Sequence, residues 1–266
     1  VKDRGYAFEE KLNINTGGIL NKQLREYTVD EKAANIPMII LNSVITVDGR
    51  KMMIGTQPLS FMMKPPAFSA VKSHHPDAVD FASLFSRQDP GNIRLLTALR
   101  MNATFPYVLP NVWLPTNPVI DVMDAGIKDN FGQETSFRFI DNFREWLINN
   151  TSNIIILQIR DRGVDEGQQI NEAGSMVDMI TRPATILEHS WHNFQDFNQS
   201  DEFNYLQTSL GDQLHRLTFT YIPKKDNQGA ALNFHLTASE KRDVINSFHS
   251  AANQKVLQSL LSLIGK

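Results

Sequence analysis

The chain has 266 residues, 41% hydrophobic and 21% charged, an ordinary globular composition with length for one large domain or two small ones. A formal net charge of -3 provides no basic field for a phosphate backbone, so nucleic-acid binding lacks electrostatic support, and zero cysteines exclude disulfides and thiolate metal sites. The longest apolar stretches, such as Ile154 to Leu157, fall far short of the roughly 20 residues that span a bilayer.

The chain opens on Val1 and not Met, and its first five residues have neither the basic start nor the apolar core of a signal peptide. It is therefore expected to be a piece of something longer. Residues 1–35 are polar and mixed, broken at Gly17-Gly18, with Leu20, Leu24 and Tyr27 spaced like one face of a short helix. A linker or lid-like segment is expected there. Ile36 to Val44 is a nearly continuous apolar run that suits a strand buried on both faces. Asp48-Gly49 then separates Ile45-Thr46-Val47 from Lys51-Met52-Met53-Ile54, which predicts a hairpin with a two-residue turn.

Pro76-Asp77 opens a short helix with Val79, Phe81, Leu84 and Phe85, and a second helix holds Leu95, Leu96, Leu99 and Arg100. Pro118 to Met123 reads as a strand ending in Asp124-Ala125-Gly126, after which Phe137, Ile140, Phe143 and Leu147 recur at helical spacing. Asn153 to Ile159 is another buried strand, residues 176–214 are mostly helical or irregular, and Leu217 to Ile222 alternates as a later strand. Thr237-Ala238-Ser239-Glu240 is a capping-box pattern that opens one amphipathic helix through Val244, Phe248, Val256, Leu260 and Ile264. The alternation of strands and helices predicts an α/β fold with a mostly parallel sheet and helices on both faces, incomplete at the N-terminal side. The expected divisions are 1–35, 36–160 and 161–266, the last an α/β extension.

In an open parallel sheet, polar groups just after strand ends converge on one crevice, and Asp124 occupies such a place. Read locally, Asp-Ala-Gly is simply a turn, since Asp and Gly favour turns for their own reasons. Three stretches in order add to that reading. They are Ile36 to Ser43 with Asp48-Gly49-Arg50, Ala98 to Pro106, and Val122 to Gly126. Together they resemble the patatin-like acyl hydrolases: a strand with its following turn, a helix running into small residues and Phe-Pro, and the loop of the catalytic aspartate. Arg4 to Glu9 also looks like a segment that follows the nucleophile region in larger bacterial relatives. The resemblance covers about the first 160 residues.

That resemblance implies an acyl-enzyme mechanism with a Ser/Asp dyad, no histidine and no cofactor. Asp124 would be the general base, while Ala125, Gly126 and Asn130 would shape the loop or touch substrate. A lipid acyl ester, such as a phospholipid, is the implied substrate, with peripheral membrane contact and the N-terminal remainder of the parent protein as partners. The sequence departs from the family in two ways. Ala125 stands where the family usually has Gly, and Asn130-Phe131-Gly132 lacks the usual proline. No Gly-x-Ser-x-Gly elbow or glycine-rich oxyanion segment occurs, so the nucleophile is expected upstream of Val1. Ser175, after Gly174, lacks the second glycine and lies on the wrong side of Asp124.

Two other readings compete. His189, His192 and Asp196 have the spacing of one helical face and invite a metal-dependent hydrolase, but without a His-Glu-x-x-His arrangement. His74-His75 is a weaker version of the same idea. The alternative is a non-catalytic binding or scaffolding module derived from a hydrolase fold. Phe194, Phe197, Phe203 and Tyr205 would be its partner-binding or lipid-facing patch, or else core.

Overall fold

The computed structural model describes residues 3–65, 75–105, 109–161, 194–224, 229–230 and 236–265. The chain divides into two compact units, Val1–Asn142 and Phe143–Lys266. The segment expected as a linker carries two helices, α1 (Arg4–Asn15) and α2 (Leu24–Lys32). Asp3 caps α1 by accepting the Tyr6 N–H, and Gln23 with Glu26 forms a capping box on α2.

The first unit is built on a five-stranded sheet in the order β3-β2-β1-β5-β4. Its strands are β1 (Ile40–Ile45), β2 (Lys51–Gly55), β3 (Ala78–Asp80), β4 (Val112–Leu114) and β5 (Ile120–Met123). Only β2 and β3 run parallel; β1 is antiparallel to both β2 and β5, and β4 is antiparallel to β5. The sheet is mixed, which corrects the expectation of a mostly parallel one. The reason is loop length, because parallel neighbours need a crossover of a dozen or more residues, and the β1–β2 and β4–β5 connections are far too short. The β1–β2 turn is also longer than expected. Val44 pairs with Lys51 and the Ile45 N–H bonds the Arg50 carbonyl, so Thr46 to Gly49 form the loop. Gly49 takes the left-handed φ of +71° that this turn requires.

The alternation of side chains across β1 and β2 sorts the two sheet faces. Leu41, Ile45, Met52 and Ile54 share one core with Leu95, Ala98 and Met101 of α4 (Leu95–Asn102) and with Phe81 and Phe85. Phe81 belongs to α3 (Phe81–Leu84), so the segment expected as one helix from Pro76 is a short strand followed by a single turn. On the other face Met53 packs with Leu59, Met62 and Ala78 against Phe139 of α6 (Gln133–Asn142). Helices therefore cover both faces of this sheet. α5 (Gly126–Asp129) connects β5 to α6, and the helical spacing read through Leu147 is split at Phe143, where α7 (Arg144–Asn150) begins.

The second unit pairs β6 (Ile154–Arg160) with β7 (Leu214–Thr220) in parallel register, with residues 194–210 (α8) helical between them. The expected terminal helix is two helices, α9 (Ala238–Phe248) and α10 (Ala251–Leu263), broken at His249-Ser250. The Thr237 capping box is present, and Ser250 caps α10 by accepting the Asn253 N–H. Among the described residues no helix is long and apolar enough to cross a membrane.

Candidate functional site

Asp124 sits one residue beyond the C-terminal end of β5, part-buried. Its loop is fastened by main-chain bonds to the C-terminal end of α4. The Asp124 N–H donates to the Thr104 carbonyl at 3.0 Å and the Ala125 N–H to the Asn102 carbonyl at 3.2 Å. The Asn102 side-chain amide in turn donates to the Asn42 carbonyl on β1 at 2.7 Å. Asn102 thus touches both Asn42 of β1 and Ala125 of the loop.

Within the loop, the Gly126 N–H donates to Asp124 Oδ1 at 2.6 Å. Asp124 Oδ2 accepts no hydrogen bond among the described residues. Burial pushes the Asp124 carboxyl above its ordinary range, with the Gly126 N–H pulling in the opposite direction. A raised pKa makes the carboxylate a better proton acceptor, and the unengaged oxygen gives it a place to accept.

Gly126 is needed for space. A Cβ there would lie 2.7 Å from Asp124 Oδ1 and 2.8 Å from Asn130 Oδ1. The glycine thus makes room for two side-chain oxygens of its own loop. Ala125 is buried.

The sequence reading missed what lies at the far end of this loop. Asp129, fully buried, accepts the Glu134 N–H at 3.1 Å and the Thr135 N–H at 3.0 Å, capping the start of α6. Lys51, at the first position of β2, reaches Asp129 Oδ2 and Glu134 Oε2 at 3.0 Å each, with 1% of its side chain exposed. Arg138 extends the network to Asp77 at 2.6 Å, to Glu134 and to the Met62 carbonyl. Lys128 adds a looser contact to Asp77 at 3.7 Å. Three cations, Lys51, Lys128 and Arg138, therefore meet three carboxylates, Asp77, Asp129 and Glu134. Burial works against the charges on Asp77 and Asp129, but the Arg138 hydrogen bonds and the Lys51 charge overcome it and hold both carboxyls below their ordinary range. One signal was available: Lys51 is the single charge in the run Lys51-Met52-Met53-Ile54.

Asp121, three residues before Asp124, is engaged elsewhere, accepting from Thr46 Oγ1 at 2.5 Å and Asn111 Nδ2 at 2.6 Å. The Thr46 hydrogen bond lowers its pKa, burial opposes it, and the Asn111 hydrogen bond adds to the lowering. An aspartate on β5 and one just past its end are thus driven in opposite directions.

The metal reading loses its described member. Both Asp196 oxygens accept from Arg160, at 2.8 and 2.7 Å, and among the described residues no cluster of His, Asp and Glu is placed to hold an ion. His189, His192, His74 and Ser175 lie outside the described residues. The aromatic set divides: Phe203 is buried beneath the Arg216 guanidinium, whereas Phe194, Phe197 and Tyr205 are exposed.

No protein-family model, no curated protein and no solved structure matches this chain.

Proposed function

We propose that this chain supplies the aspartate of a patatin-like serine acyl hydrolase, with Asp124 as the general base and the nucleophilic serine upstream of Val1. The observation that carries the reading is the state of the Asp124 carboxylate. One oxygen is fixed by the Gly126 amide, the other takes no bond among the described residues, and burial raises its pKa. A general base needs this combination of fixed orientation, an available lone pair and raised basicity.

In the proposed reaction the serine hydroxyl loses its proton to Asp124 Oδ2 as its oxygen bonds to the ester carbonyl carbon. The alcohol leaves with that proton, and the acyl group remains on the serine. Water then attacks the acyl-serine, Asp124 accepts its proton, and the fatty acid departs as the proton returns to the serine oxygen. The substrate class is a lipid acyl ester, in keeping with the resemblance.

The test is Asp124→Asn in the full-length protein, measured by ester turnover and by labelling of the serine with a fluorophosphonate. Turnover is expected to fall by at least about 10²-fold with KM little changed, and labelling should slow with it. Asp121→Asn is the control. Full turnover in Asp124→Asn together with abolished turnover in Asp121→Asn would overturn the assignment, and a wild-type protein that neither turns over nor labels would instead favour a binding module.

A further inference from the structure

We infer that Lys51 and Asp129 are a positioning pair for Asp124: their ion pair ties the far end of the 124–129 loop to β2 and so fixes where the Asp124 carboxylate points. The route is short and continuous. The Asp129 N–H donates to the Ala125 carbonyl at 2.9 Å, and the Gly126 N–H of the same single helical turn holds Asp124 Oδ1. The near end of the loop is fixed by α4, and the far end by Lys51.

Stability alone does not account for a fully buried lysine at this position. Removing two charges from water is so unfavourable that a well-packed apolar pair of similar volume is often as stabilising or more so. What an apolar pair lacks is direction. Asp129 accepts from Lys51 Nζ, Thr135 Oγ1, the Thr135 N–H and the Glu134 N–H at 2.8 to 3.1 Å, a set satisfied in one placement of its carboxylate. Thr135 Oγ1 also accepts from Asn42 Nδ2 at 2.8 Å, which ties the same point to β1. Asn42 is also the residue whose carbonyl receives the Asn102 amide, so both ends of the loop refer to one strand.

The consequence for catalysis rests on the acyl-hydrolase reading, whereas the geometric claim does not, and the test keeps them apart. The variant is Lys51→Met combined with Asp129→Asn, which removes one charge of each sign and leaves the long-range field at Asp124 nearly unchanged. The first measurement is a ¹³C NMR titration of the Asp124 carboxyl. In the variant the freed loop admits water, so Asp124 should titrate lower than in the wild type. An unchanged titration in a folded variant would overturn the inference. If the double variant does not fold, Asp129→Asn alone is read by hydrogen exchange of the Gly126 N–H, which should quicken as the loop loosens and reports the loop and not the lost charge; unchanged exchange would overturn the inference. The second measurement is turnover by the full-length protein, where kcat should fall on the order of 10²-fold with KM unchanged. A shifted titration with unaltered turnover would leave the positioning pair standing and sink the acyl-hydrolase reading.

Discussion

Asn102 accepts the Ala125 N–H through its main-chain carbonyl and donates its side-chain amide to the Asn42 carbonyl, so one residue at the end of α4 joins the Asp124 loop to β1. Replacing its side chain should loosen one of these links and spare the other. Asn102→Ala is expected to destabilise the fold by about 1 kcal/mol, the usual net effect of one lost hydrogen bond. Urea denaturation would measure it. Turnover should fall more than this small loss of folded population explains.

Gly126→Ala inserts a methyl group 2.7 Å from the Asp124 carboxylate oxygen. Something must shift, and the carboxylate is the part free to do so. The variant is expected to fold, because the backbone at Gly126 needs no left-handed φ. It should nonetheless lose activity as Asp124→Asn does. A Gly126→Ala protein with wild-type kcat would show that the Gly126–Asp124 contact is irrelevant to the chemistry.

Acid should act on the carboxylates with opposite signs. Asp77 and Asp129 titrate below their ordinary range in the fold, so their stabilisation is full above the unfolded value of about 4 and is lost as pH falls through the folded values. Asp124 titrates above its ordinary range, so its ionised form disfavours the fold above that raised value and protonation relieves it. Asp124→Asn should therefore be at least as stable as the wild type at pH 7, while Asp129→Asn should be less stable there and converge with wild type in acid. Thermal melts across pH 3 to 8 would check both.

Breaking the buried network from its cationic side should be severe. Lys51→Met alone leaves Asp129 without its charge partner inside the protein, and a loss of about 3–5 kcal/mol is expected. The double replacement with Asp129→Asn should recover part of that loss, as a double-mutant cycle would reveal.

In the second unit, Asn253 is the knot. Its side chain accepts the Thr220 N–H at 3.0 Å and donates to the Thr220 and Ser247 carbonyls at 2.8 Å each, joining α10, β7 and the end of α9. Asn253→Ala leaves the Thr220 N–H without its acceptor, while the Thr220 carbonyl keeps Ser247 Oγ and the Ser247 carbonyl keeps the Ser250 N–H, and a loss of about 1–3 kcal/mol is expected in chemical denaturation.

The local elements were legible where periodicity and turn chemistry agreed. The β1–β2 hairpin, α4, the β5–Asp124 junction and the Thr237 capping box all follow from short-range patterns. Strand direction was not legible, because Val112-Trp113-Leu114 is too short to announce itself and its pairing with β5 turns the sheet mixed. The break of the last helix was hidden too, since the apolar spacing continues across His249-Ser250 while Ser250 quietly starts a new cap. At the site, Asp124 could be singled out by its place after a strand. Its anchors could not, because Lys51 and Asp129 are 78 residues apart and nothing local to either announces the other.

The buried Lys51–Asp129 pair also constrains how this sequence can drift. Losing the Lys51 charge first leaves Asp129 orphaned in the interior, whereas Lys51 keeps Glu134 when Asp129 is lost, so the acid at 129 is expected to change before the lysine or together with it. A relative with an apolar residue at the place of Lys51 should have lost the acid at 129 as well, and such paired exchange would trace the loop's anchor through lineages where the overall sequence has diverged.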